Sequence, residues 1–69
     1  MDNQQEQGDA IVGVDGFVSV LFGDLPEDER TRRRRQVNHM LALGHLPGRK
    51  AGRLWIGSKS RLHRHLIGE

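Results

Sequence analysis

Apolar residues occupy three stretches of the chain, and long polar runs separate them. Residues 1–9 (MDNQQEQGD) hold one apolar side chain, Met1. Nothing there offsets the entropy of ordering, so they read as a flexible acidic tail ahead of a single domain over residues 10–69. The first apolar stretch follows at once: Ile11-Val12-Gly13-Val14, then Asp15-Gly16, then Phe17-Val18-Ser19-Val20-Leu21-Phe22. Two structures fit it. Asp-Gly between β-branched runs is the signal of a hairpin closed by a type I′ turn. Alternatively, Ser19 caps a short helix over residues 18–23 that ends at Gly23. Propensity favours strand over residues 11–14.

The next run is polar. Asp24-Leu25-Pro26-Glu27 predicts a helix start: Asp24 as cap, Pro26 in the first turn, Glu27 at the capping-box position. Glu27, Asp28 and Glu29 place negative charge at the positive end of the helix dipole. The helix extends to Leu43, with Gly44 as its left-handed terminator. Its apolar stripe is confined to the end, at Val37, Met40, Leu41 and Leu43. Between Leu25 and Val37 no residue is apolar. Three turns without an apolar face project into solvent, lie on a charged partner, or are interrupted.

The last stretch, residues 46–57, predicts a small hairpin turning near Gly52, with Leu54, Trp55 and Ile56 in its second strand and Pro47 limiting the first to an edge. Ser58 then caps a closing helix over residues 59–67. Leu62 and Leu66, at i and i+4, face inward, and Arg61, His63, Arg64 and His65 face out.

Charge changes this picture most. The net value of +2 conceals a division. Residues 1–29 carry eight acids and no lysine or arginine, for −8, whereas residues 30–69 carry eleven basic residues and one acid, for +10. A field of that sign over forty residues attracts polyanions and speeds their capture. An anionic membrane is a poorer match, because no segment sets a wide apolar face opposite its basic residues. The absence of cysteine suits a reducing cytoplasm and excludes thiolate zinc sites, redox pairs and cysteine nucleophiles. No apolar run approaches the ~20 residues of a membrane span, and the first residues lack the pattern of a signal peptide. The expected location is the cytoplasm. A chain this short buries only about 60% of its unfolded surface, so one compact core is all it can build.

Catalytic chemistry has little to work with. There is no glycine-rich phosphate loop, and Glu27, Asp28 and Glu29 are accounted for as helix-start charges. His63 and His65 fall on different faces of a helix, and no other histidine pair has metal-ligand spacing, so neither a metal nor another cofactor is expected. The run Thr31-Arg32-Arg33-Arg34-Arg35-Gln36 is the sharpest local feature. Arginine forks match phosphate and the guanine edge, while Gln36 and Asn38 suit adenine. Four consecutive arginines radiate around a helix, so they cannot all reach one groove. A second basic cluster, Arg49, Lys50 and Arg53, sits in the hairpin, where such residues track phosphates or enter the minor groove. Lys59, Arg61 and Arg64 extend the same positive face. Trp55 reads as core rather than as a base-stacking platform, and one or two of His39, His45, His63 and His65 as surface histidines that approach phosphate.

Residues 44–66 (GHLPGRKAGRLWIGSKSRLHRHL) resemble the wing and closing helix of small MerR-like winged-helix proteins of the excisionase and AlpA type. In that group a recognition helix ends in Gly, a Leu-Pro follows, and a strand leads to a Gly-Arg turn. An aromatic-bearing strand and a Ser-initiated helix with spaced leucines come next. Val37, Met40 and Leu41 match the apolar spacing of the recognition helix, so the resemblance covers about residues 35–66. It implies a small α+β, mostly α fold, a winged helix-turn-helix with a two-stranded wing. The helix around residues 32–43 would enter the major groove through Arg33, Arg34, Gln36, Asn38 and His39, and the hairpin from Arg49 to Arg53 would act as wing. Upstream the chain departs from the group. An apolar first helix should directly precede the recognition helix, but residues 27–35 contain no apolar residue. The first helix must then be residues 18–23, which tilts that segment toward the helical alternative.

The expected function is a non-enzymatic DNA-binding protein of a phage or mobile element: an excisionase-like recombination factor or a small transcriptional regulator. Its expected partner is duplex DNA, with a recombinase or further copies of itself alongside, and no membrane or small-molecule substrate. Two alternatives stay open: an RNA-binding protein with an arginine-rich helix, or an interaction module that inhibits a host protein.

Overall fold

The computed structural model describes residues 8–68. Six elements follow one another: β1 (Ala10–Val12), α1 (Gly13–Phe22), α2 (Glu27–Ala42), β2 (Arg49–Ala51), β3 (Leu54–Ser58) and α3 (Lys59–Leu66). Three helices and one antiparallel sheet make a small α+β fold, mostly helical. The sheet has β3 at its centre, in the order β1-β3-β2. Ile11 lies opposite Gly57 across one ladder, and Lys50 opposite Trp55 across the other.

The first apolar stretch resolves into strand and helix rather than a hairpin. The chain turns at Gly13, whose φ of 81° glycine adopts without steric penalty, and α1 begins there. Asp15 and Gly16 therefore lie in the first helical turn, and no I′ turn forms. Gly16 is where α1 crosses β1, since a Cβ there would stand 3.0 Å from Cγ2 of Ile11. The helix starts five residues before the expected Val18, so Ser19 is interior and caps nothing. Its register explains the early start. Phe17 and Val18 are buried and Val14 and Leu21 pack on the core, a spacing of i, i+3, i+4, i+7 that makes one helical face. Gly23 ends the helix as expected, its N–H donating to the Ser19 carbonyl.

The second helix runs uninterrupted over sixteen residues. Asp24 is not its cap: Pro26 holds that position and makes no side-chain cap bond, while the Glu29 N–H donates to the Asp28 carboxylate at 2.9 Å. Termination follows the expectation. Gly44 has φ 82°, the His45 N–H donates to the Met40 carbonyl at 2.8 Å, and the Gly44 N–H to the Leu41 carbonyl at 3.1 Å. This is the Schellman pairing. Val37 and Leu41 are buried and Met40 packs beside them, but Leu43 lies outside the stripe and is exposed.

The β2–β3 hairpin closes through Gly52 and Arg53, with positive φ at Gly52 alone, the pattern of a type II′ loop. It is not a free two-stranded wing, because β1 pairs along the other edge of β3. Ser58 caps α3, accepting from the Arg61 N–H at 3.3 Å. Leu62 is fully buried, whereas Leu66, expected inside, is 56% exposed, because α3 leaves the core after its first two turns. The core is Ile11, Phe17, Val18, Val37, Leu41, Leu46 and Leu62, and none of the described polar residues is buried with it. Trp55 packs against its margin.

Residues 1–7 of the expected flexible tail lie outside the described residues. Asp9 belongs to the fold. Its carboxylate accepts from the Ser58 and Ser60 hydroxyls and from the Ser60 N–H, and its carbonyl accepts from the Lys59 N–H. The first turn of α3 contains no acid of its own. Asp9 supplies one from the start of β1, which the antiparallel register sets beside Ser58.

Candidate nucleic-acid interface

The polar half of α2 is held by charge. One side of it, Arg30, Arg33 and Arg34, turns toward α1 and is half-buried. Asp15, in the first turn of α1, lies 3.6 Å from Nη1 of Arg30 and 3.4 Å from Nη1 of Arg34. Arg34 also reaches Glu27 at 3.0 Å. Arg33 bridges to Glu29 at 3.3 Å and donates to Gln36 Oε1 at 2.8 Å, and its guanidinium stands 4.8 Å above the Phe22 ring. Its Nε is buried with no partner among the described residues. Arginine stems thus cover the apolar surface of α1 that a hydrophobic stripe would otherwise cover. The charged partner demanded by three turns without an apolar residue is the acidic start of the same domain.

This arrangement divides the arginine run. Arg33 and Arg34, both expected in the groove, face inward and are engaged by carboxylates. Arg32 is exposed and pairs with Glu29 at 3.1 Å. Arg35 is exposed and forms no ion pair among the described residues. By the 100° step of the helix, Arg32, Arg35 and His39 share the outward face of α2. Gln36 is exposed but bonded to Arg33. Asn38, expected to read a base, instead accepts a hydrogen bond from Nε1 of Trp55 at 3.2 Å. That bond ties α2 to β3 and gives the indole N–H its partner.

On the hairpin, Arg49, Lys50 and Arg53 are all exposed, and none forms an ion pair among the described residues. Lys50 lies over the Trp55 ring, 5.1 Å from its centroid, on the same side of the sheet as the bond to Asn38. The outward face of α2 and this side of the hairpin are therefore joined through Trp55. Lys59, Arg61 and Arg64 are exposed on α3, likewise without ion pairs among the described residues. The Ser60 hydroxyl, then the Ser58 hydroxyl and the Ser60 N–H hold the Asp9 carboxyl below its ordinary 3.8, with a smaller contribution from Lys59. His65 Nε2 donates to the His45 carbonyl at 2.9 Å, fastening α3 to the end of α2.

Residue types and spacing did not point to Asp15, which clamps Arg30 and Arg34 of α2 to α1, or to Arg61 as a site residue. Asp15 was legible once Val14, Phe17, Val18 and Leu21 define a helix, because that helix places Asp15 in its first turn. Nothing in the local sequence pairs Arg61 with Arg49. The two meet across a cleft lined by Pro47, Gly48, Arg49, Ile56, Gly57, Ser58 and Arg61.

Among the described residues no group of three histidines, aspartates or glutamates is placed to hold a metal ion, and no helix is long and apolar enough to cross a membrane. No family model, curated protein or solved structure matches the chain.

Proposed function

We propose that the protein is a small winged helix-turn-helix module that binds duplex DNA without catalysis. In this reading α1 and α2 form the helix pair, α2 lies in the major groove, and the β2–β3 hairpin is the wing. The role is that of an excisionase-like recombination factor or a transcriptional regulator acting in the cytoplasm. One observation carries the reading. Asp15, Glu27 and Glu29 are engaged by Arg30, Arg32, Arg33 and Arg34, while Arg35 on the outer α2 face and the cations of the hairpin and α3 stay unpaired among the described residues. Three of the acids, Asp15, Glu27 and Glu29, are thus taken up by the arginines next to α1 and by Arg32, and not by Arg35, the hairpin or α3. The order helix, helix, hairpin, closing helix also supports the resemblance to excisionase and AlpA-type proteins, with β1 as an added strand.

The mechanism is electrostatic positioning followed by base contact. Arg35, Arg49, Arg53 and Lys59 neutralise phosphates and release counterions. Arg32 and His39 share the outward face of α2 with Arg35 and carry the contacts to base edges. Gln36 reaches a base only by giving up Arg33. Asn38 sets the angle between helix and wing. With about six phosphate contacts, log affinity falls against log salt with a slope near −5. Fluorescence anisotropy on a labelled duplex across a salt series measures it, and a slope shallower than about −2 overturns the proposal. Competition with a structured RNA separates the RNA-binding alternative, for which RNA would displace the duplex at equal concentration.

A further inference from the structure

We infer that the cleft shared by Arg49 and Arg61 is a phosphate pocket that holds one backbone phosphodiester of the bound nucleic acid between two guanidinium groups; this rests on the nucleic-acid reading above. The cleft has a volume of about 340 Å³ and lies where the loop before β2, the base of the hairpin and the first turn of α3 meet. Arg49 enters from the edge strand and Arg61 from α3. Neither has an ion pair among the described residues, and no acid lines the space. Among the described residues the carboxylate beside Ser58 is that of Asp9, and its oxygens are committed to Ser58 and Ser60. Two like charges facing one cleft repel each other, and an anion between them converts that repulsion into two forked, charge-assisted contacts.

The rest of the lining selects the form of the anion. The floor at Gly48 and Gly57 is bare backbone. Phe17 and Leu41 press against it from the core side, so closely that a Cβ on Gly57 would stand 2.6 Å from Phe17 Cζ and one on Gly48 2.9 Å from Leu41 Cδ2. The Cβ direction at both glycines is into the core, so on the cleft side this floor is main chain alone and a nucleic-acid strand can lie against it. Pro47 and Ile56 add apolar wall. That suits the deoxyribose beside a phosphodiester, and it offers nothing to a free phosphate, whose polar surface faces outward on all sides. The pocket is larger than one phosphate group needs, and the sugars on either side account for the excess.

The test uses the full chain with R49Q, R61Q and the double variant, substitutions of exposed side chains whose folding is checked by thermal unfolding. Duplex affinity is measured against salt for each. If one phosphate sits between both arginines, either alone still neutralises it. Each single variant then keeps a slope close to that of wild type, and the double variant loses about 0.9, one phosphate's worth. A loss of about 1.8 in the double variant means two separate phosphates, and no loss means none. Either result overturns the pocket while leaving DNA binding intact. A wild type that binds no duplex overturns the nucleic-acid reading itself and the phosphodiester with it. As a second measurement, a titration of the wild type with dimethyl phosphate, followed by amide NMR, shifts Gly48 and Gly57 first. Shifts spread evenly over every exposed arginine overturn the pocket.

Discussion

Gly57 is where the core and the hairpin compete most directly for space, and replacing it by alanine gives a prediction whose sign is informative. Gly57 lies in the central strand opposite Ile11, with the Phe17 ring beneath it. Its φ is not positive, so alanine is compatible with the backbone. On backbone grounds alone the substitution stabilises by about 0.4–1 kcal/mol, by restricting the unfolded chain. Packing opposes this. The new methyl would stand 2.6 Å from Cζ and 3.1 Å from Cε2 of Phe17, and 3.3 Å from the Pro47 carbonyl oxygen, whereas carbon atoms in contact prefer about 3.5–4.0 Å. Phe17 is fully buried, so its ring has nowhere to retreat without moving Leu41 or the strand. Overpacking costs about 1–3 kcal/mol, and a 2.6 Å contact on a buried ring belongs in the upper half of that range, about 2–3 kcal/mol, which leaves a net loss of about 1–2 kcal/mol for G57A. In a domain this small each kcal/mol moves Tm by about 4–8 °C, so the variant melts about 5–15 °C lower. Circular dichroism melting checks this. A Tm equal to or above that of wild type refutes the packing argument, since only the backbone term would then be acting. The F17L/G57A pair sharpens it. Leucine lacks Cζ, so adding G57A to F17L costs at least about 1 kcal/mol less than adding it to wild type.

Two further predictions follow from the charged residues. R34A and R35A separate clamp from interface. R34A lowers stability by about 1 kcal/mol or less, because Arg34 is a third exposed and its partners more so, and it leaves the salt slope of duplex binding unchanged. R35A leaves Tm unchanged and reduces the slope by about 0.9, and the opposite pattern would reverse the assignment of the two arginines. The Asp9 carboxyl, held below 3.8 in the folded protein, contributes stability that is fully present above that value and lost as pH falls through its folded pKa. The Tm difference between wild type and D9A is therefore constant from neutral pH down to about 4 and shrinks below it. A difference that instead grows on acidification contradicts the cap.

The sequence by itself determined the elements whose signals are local. Gly44 after Val37, Met40 and Leu41 marks a helix end because only a left-handed residue completes the Schellman pairing. Ser58 before Leu62 marks a helix start because an extended serine can accept from the amide three residues on. The Gly52 turn follows from its loop chemistry, and the basic character of residues 30–69 is arithmetic. The path of the first apolar stretch was also legible, in the i, i+3, i+4, i+7 spacing of Val14, Phe17, Val18 and Leu21. The β-branched residues and the Asp-Gly pair point the other way there, and burial of one helical face outweighed them. Tertiary structure alone decided which cations stay free. Arg33, Arg34 and Arg35 are equivalent in the sequence, and they differ only because α1 packs on one side of α2 and brings Asp15 and Phe22 to two of them. The same holds for Asp9, which meets Ser60 only because β1 pairs antiparallel with β3. Arg49 and Arg61 likewise share a cleft only because α3 folds back beside the hairpin. Such pairings depend on where distant segments come to lie, and residue order within a segment carries no record of that.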